Sequence, residues 1–599
     1  MSLSKLSLSV AVCLVVLTLA PAGAAKLPET SALIPAETIL VVNADNFAEL
    51  HSRFEKTDTY RLYTDPSMAR FVEDLKSKLE KSVSEDDTLR RFVAGDYPLP
   101  QGRTALAVVM RPAPADGKRG EPVTVVICQW GKELSKAKEL IEKEVKDLEA
   151  KGGRCRKTEY RGIELVSVFG APETSEKEAE QRPEPDYIYC FIDDCFIAAD
   201  RLEDLQFVVA HATGGTGGTL GENADYQAAL KRVGGGDIAF YLNVRLLVEA
   251  EMVEGADAER VIKALGIDKL AGVAVGVKIA PETGSSFVIK GYARTTGAKQ
   301  GIFRILDMSA VPILVPGFAA GDACSFAMIN LDPAAAYDEV FRMANAIDVR
   351  AAAAMNSPIV PPGADGRPGV ELKKDVFAYL RPGLWSVDVL RKGTGEQPEI
   401  VSVVGLAISD KAKLEQSLSR IHEQILGKDE KLRREFLGYT IYSIGLPGQQ
   451  GPESNGDDGV TASASAPAPP VFTVVDNYLL FGDVRVVEDA IHATKDKTAS
   501  KLTSAKWYRK AASFLWPAAG SESMMDLSVY GQYLWKLYKG PGGAAPAAIA
   551  MQELKEYTSP ALLPEFSEVK KYFGIVVSQF ASVPEGFTFE YRWVSAAEE

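Results

Sequence analysis

The sequence predicts an α+β fold: two tandem repeats, each a hairpin-rich antiparallel sheet with helices packed on one face. Three observations predict it. The same succession of apolar runs occurs twice, over residues 26–300 and again over 301–599. Two-residue polar turns separate neighbouring runs, so hairpins dominate and a doubly wound parallel sheet is disfavoured. Between the strand-like runs lie amphipathic stretches with helical spacing, and strands followed by helices in this order describe an α+β arrangement.

Residues 1–25, MSLSKLSLSVAVCLVVLTLAPAGAA, come first. Lys5 is a positive n-region, Leu6 to Leu19 an apolar h-region, and Ala22-Gly23-Ala24 a small-x-small site. The apolar run falls short of the roughly 20 residues of a comfortable membrane span. A secretory signal peptide cut near Ala24 or Ala25 is therefore expected, with a secreted or periplasmic mature chain. Val12 before Cys13 argues against a lipoprotein, which needs a small residue there. No later stretch has the long uncharged apolar run of a transmembrane helix.

The repeats align segment by segment. IPAETILVVNADNFAELHSRF resembles AAGDACSFAMINLDPAAAYDEVF, with Asn43, Asp45 and Phe54 matching Asn330, Asp332 and Phe341 at one offset. Each is a β-rich run ending in Asn-x-Asp before a helix, which places Asp45 and Asp332 as N-caps and Pro333 at the first helical position. Residues 121–145 correspond to 397–421, a strand and an amphipathic helix. YRGIELVSVF corresponds to FLGYTIYSIG, with Gly162 and Gly438 at tight turns. Polar, Pro-rich insertions follow in both copies, and the second, 448–470, has the composition of a disordered segment.

The stretch YIYCFIDDCFIAA then brackets two aspartates with Cys190 and Cys195. Its counterpart VFTVVDNYLLFGD keeps the turn, Asp476-Asn477 against Asp193-Asp194, and discards both cysteines. The shared feature is a hairpin, since short polar side chains tolerate the positive φ of such turns. Zinc spacings and a neighbouring histidine are missing from it. Cys190 and Cys195 share a face there, where a disulfide is conceivable but would close only a tiny loop. Each copy then has a helix ending in His-Ala-Thr (His211, His492), and two closing strands turned at Pro281-Glu282 and Pro584-Glu585.

Hydrophobic residues make up 46% and charged ones 25%, an ordinary globular balance. The net charge of −14 argues against nucleic acid and against an anionic membrane surface as partner. Cys128, Cys155, Cys190, Cys195 and Cys324 remain after cleavage, an odd number whose pairing stays open.

Candidate chemical groups fare poorly. His422 opens the first half of a zinc protease motif, but position 426, four residues on, is Leu. His51 is expected to face solvent or pack at the edge of its helix. His211 and His492 read as helix-terminal histidines, favourable at the negative end of the dipole, with a repeated catalytic base as the alternative. Ser167 and Ser443 read as strand positions, because neither has the glycines of a nucleophile elbow. ATGGTGGTLGEN lacks the ending of a phosphate loop and reads as a flexible connector. Asp193 and Asp194, adjacent in a turn, point apart instead of flanking a substrate. The aromatic runs WYRKAASFLW and VYGQYLWKLY have the helical spacing of core residues.

The succession LIPAETILVVNADNFAEL, YQAALKRVGGGDIAFYLNV and VFTVVDNYLLFGD resembles a family of uncharacterised exported bacterial proteins defined as a domain of unknown function. The resemblance implies an extracytoplasmic place and carries no site residues. What the copies share is apolar periodicity, turns and caps rather than a polar constellation. The expected function is that of an exported, non-catalytic binding or structural protein of the cell envelope, acting on an envelope or extracellular partner. No catalytic residue, metal ligand or cofactor is expected. The alternative is an exported hydrolase with a site between the repeats.

Overall fold

The computed structural model describes residues 27–82, 98–110, 121–170, 185–251, 256–281, 283–363, 366, 368–392, 398–425, 432–444, 470–496, 498–540 and 558–596. The expected signal peptide lies outside them, as does the insertion 448–470 apart from Pro470. The fold is α+β. The chain divides into two compact units, the first from Met1–Gly255, Leu270–Thr296 and Gly542–Pro564, the second from Ala256–Lys269, Gly297–Pro541 and Glu565–Glu599.

The first unit contains β1 (Thr38–Ala44), β2 (Thr104–Met110), β3 (Pro122–Gln129), β4 (Arg154–Tyr160), β5 (Ile163–Phe169), β6 (Tyr187–Ile192), β7 (Cys195–Ala199), β8 (Ile238–Leu242), β9 (Leu270–Ile279) and β10 (Ser285–Thr295). They pair antiparallel throughout, in the order β4-β5-β6-β7-β3-β2-β1-β8-β9-β10.

The second unit contains β11 (Ala323–Ile329), β12 (Leu380–Lys392), β13 (Pro398–Ile408), β14 (Arg433–Phe436), β15 (Tyr439–Ser443), β16 (Val471–Val475), β17 (Tyr478–Gly482), β18 (Ser521–Asp526), β19 (Ile575–Val583) and β20 (Gly586–Val594). Their order, again all antiparallel, is β14-β15-β16-β17-β13-β12-β11-β18-β19-β20. Counted along the chain, the two orders are the same.

Local chemistry explains the turns. Arg161-Gly162 and Leu437-Gly438 join β4 to β5 and β14 to β15 with both central residues at positive φ (52° and 79°, 50° and 83°). That backbone matches the right-handed twist of the strands it joins, and glycine adopts it without strain. Asp193 (φ 51°) and Asp476 (φ 49°) open the β6–β7 and β16–β17 hairpins. Asp332 caps the helix Pro333–Ile347, its carboxylate accepting from the Ala334 and Ala335 amides at 3.0 and 3.1 Å. In the first unit the expected cap shifts by one residue. Asn46, not Asp45, accepts from the Glu49 amide at 3.0 Å, while Asp45 accepts from Asn43 at 2.7 Å.

The expectation of helices on one face is overturned in the second unit. On one face of β13, Val401, Val403 and Ala407 pack with Val486, Val487 and Ile491 of the helix Val484–Lys495. On the other face, Leu406 and Ile408 pack with Leu414, Leu418 and Ile421 of the helix Lys411–Ile425. The cause is visible in β13, whose apolar residues fall on both sides of the pleat. Each fully buried Val or Leu stabilises by roughly 1.5–3 kcal/mol, so both sides need cover. In the first unit Ile141, Val145 and Leu148 of the helix Leu134–Ala150 pack on Val166, Val168 and Tyr189.

Candidate functional site

The groups singled out in the sequence do not converge. His51 is 3% exposed rather than solvent-facing, with Nε2 3.2 Å from Glu55 Oε1. His211 is buried, stacked on Phe207 with centroids 4.1 Å apart. Its Nδ1 lies 2.8 Å from the Phe207 carbonyl and its Nε2 3.0 Å from the Gly217 carbonyl. His492 is exposed, with its ring edge-on to Phe436 at 5.3 Å. The corresponding histidines thus have unrelated surroundings. His422 is buried against Tyr442 and Phe472, its Nε2 has no hydrogen-bond partner, and burial holds it below the usual histidine range.

The glycine run after His211 is held in place rather than acting as a free connector. Ala36 donates to the Gly218 carbonyl and Leu220 to the Ile34 carbonyl, both at 2.9 Å. Ser167 and Ser443 lie on β5 and β15. Asp194 accepts from Gln129 Nε2 at 3.1 Å, a brace between the β6–β7 turn and β3. Among the described residues, no group of three or more His, Cys, Asp and Glu side chains is placed to hold a metal ion, and no helix is long and apolar enough to cross a membrane.

The five cysteines among the described residues are free thiols. Cys190 faces Ile197 and Cys195 faces Ile192, so the two thiols are diagonal across the hairpin. Diagonal neighbours stand roughly 7–8 Å apart, beyond the usual reach of a disulfide.

One constellation stands out that carries no sequence motif. Glu522, on β18, is 1% exposed, and neither carboxylate oxygen has a hydrogen-bond partner. The sheet register sets it between Met328 on β11 and Gln579 on β19, and Gln579 in turn faces Glu590 on β20. Gln579 and Glu590 are also buried, at 3% and 5% exposed. Gln579 is committed elsewhere: its Nε2 donates to the Phe514 carbonyl at 3.1 Å and its Oε1 accepts from the Trp516 amide. Glu590 accepts from Arg592 at 2.9 Å, and that guanidinium also lies over the Phe514 ring, 5.0 Å from its centroid. Glu522 is therefore left alone, and burial pushes its carboxyl up to about 7.

Cover on this side comes from the helix Lys506–Ala512 and the turn after it. Tyr508 is buried edge-on to Phe326, 6.2 Å between centroids, and Trp507 Nε1 donates to the Ala323 carbonyl at 2.9 Å. The first aromatic run is thus core, as its spacing predicts. In the second, Trp535 packs with Phe566 and Phe573.

The first unit has a different residue at the matching lattice point. Val41 faces Tyr241, Tyr241 faces Ala274, and Ala274 faces Tyr292, all buried. Tyr241 packs edge-on to Tyr226 at 5.1 Å, and its hydroxyl has no partner. A lone glutamate in a β-rich run carries no motif, which is why the sequence gives no warning of Glu522.

Two all-antiparallel α+β units, each with a buried polar group at one shared lattice point, define the class of protein. No family model, curated protein or solved structure matches the chain.

Proposed function

We propose that the chain is an exported, non-catalytic binding or structural protein of the bacterial envelope, built by tandem duplication of one α+β module. It belongs on this reading with the exported family its sequence resembles. One observation carries the proposal. The two units share a ten-strand order and their turn positions, while the residues that could react differ from unit to unit. Selection that retains packing and lets reactive groups drift acts on shape, as in a scaffold that presents a surface. The n-region, h-region and small-x-small site of residues 1–25 support export.

The test is expression of the full chain in a bacterium, with amino-terminal sequencing of the product and chemical cross-linking in intact envelopes. A mature terminus at Ala25 or Lys26 and a discrete cross-linked species support the reading. Retention in the cytoplasm with Met1 intact overturns it. So does hydrolysis of chromogenic esters or glycosides that is abolished in His211→Ala or His492→Ala, which would establish the hydrolase instead.

A further inference from the structure

We propose that Glu522 is a proton-controlled latch: protonated, it lets the segment 506–520 close over β18 and β19, and ionised, it drives that segment open. The burial of Glu522 is uncompensated. A carboxylate removed from water is tolerated only with a cation or several donors around it, and otherwise takes a proton or finds water.

No compensating group faces Glu522. The helix Lys506–Ala512 brings Tyr508, which is buried, whereas Lys506 and Arg509 are exposed and Lys510 donates to the Ser595 carbonyl at 3.0 Å. The turn 513–519 has no titratable side chain. On the sheet, β11 offers Cys324 and β19 has no ionisable residue, while on β20 Glu590 occupies Arg592 and Tyr591 falls in the alternate register. The helix Leu527–Lys539, also packed on β18, carries Tyr530, Tyr533, Lys536, Tyr538 and Lys539. Burial alone accounts for the carboxyl's rise to about 7, with no charge acting on it.

The covering segment is anchored at its two ends, by Trp507 on the Ala323 carbonyl and Lys510 on the Ser595 carbonyl, and by the paired Val311 and Ala519 amides. The ties between those ends bear on the row of Glu522. Gln579 grips the Phe514 carbonyl and the Trp516 amide, and Arg592 lies on the Phe514 ring. Opening at this point would hydrate Glu522 while leaving the strand pairing of β18 intact. The first unit serves as an internal control, because Tyr241 occupies the matching position.

Hydrogen exchange of the full chain at pH 6 and pH 8, corrected for the intrinsic rate, tests the latch. The ionised fractions expected for a free carboxyl at its ordinary value and for one held near 7 give roughly tenfold more opening at pH 8 than at pH 6. That increase is expected in peptides covering 506–520 and not in peptides covering 224–236. Glu522→Gln and Glu522→Met should each remove the pH dependence. Equal corrected protection at both pH values in the wild type overturns the latch, and this measurement needs no variant to fold. Retention of the tenfold change in either variant overturns it as well.

Discussion

Glu522 and Gln579 stand directly opposite each other across β18 and β19, yet no hydrogen bond joins them. The amide is spent on the turn at Phe514 and Trp516, and the acid is left with a methionine as its other cross-strand neighbour. The choice of partner by Gln579 thus leaves Glu522 buried without a hydrogen bond.

This has a consequence for stability. The folded-state value of Glu522 lies above its unfolded value, so its favourable contribution is complete below about pH 4.5 and disappears as pH rises through about 7. The loss amounts to about 3 kcal/mol above that range, at 1.36 kcal/mol per pH unit. Urea denaturation at pH 5 and pH 8 should show the second unit weakening with pH in the wild type. Glu522→Met should flatten that dependence.

His422 sets the opposite limb. Burial lowers its folded-state value, so stability is present above the ordinary histidine value and lost as pH falls below it. The rings of Tyr442 and Phe472 stand beside it, and backbone hydrogen bonds at Leu432 and Ser443 partly offset the effect of burial. His422→Phe, which removes the titrating ring and keeps Glu522, should gain more in its urea midpoint from pH 7 to pH 5 than the wild type does.

Cover on both faces of β13 predicts that helices on either side are equally needed. Leu414 and Ile491 are both fully buried, on opposite faces. Leu414→Ala and Ile491→Ala should each destabilise the second unit by about 2–4 kcal/mol, measured by denaturant unfolding. A surface-like cost of under about 0.5 kcal/mol for one of them would mean that its face is open.

Gly276 lies in the middle of β9, where an added Cβ would stand 2.6 Å from the Gly235 carbonyl oxygen and 2.7 Å from Val233 Cγ1. Backbone cannot yield as a side chain tip does. Gly276→Ala should destabilise the first unit by about 1–3 kcal/mol in the same assay.

The thiols predict a labelling order. Cys190, Cys195 and Cys324 are buried, and burial pushes each up to about 12. Cys155, on the edge strand β4, is only partly covered, though burial raises it too. Brief iodoacetamide treatment of the native protein at pH 8, followed by mass spectrometry, should modify Cys155 first among these four.

Turns and caps were legible in the sequence because their causes lie within four residues. Asp193-Asp194, Asp476-Asn477, Gly162, Gly438 and the Asp332-Pro333 cap all stand where residue chemistry puts them. The α+β class followed from such signals. Asp45 failed as a cap only because Asn46, one residue on, has the same capability.

By itself, then, the sequence determined the hairpins, the helix starts and the twice-written succession of elements. Tertiary structure alone decided that β7 would pair with β3 and β1 with β8, that both faces of β13 would be covered, and that Glu522 would lie in the core without a partner. Local propensity acts on neighbours along the chain. Pairing and burial join residues distant along it, and whether a carboxylate meets water or an apolar wall depends on what those distant residues place around it.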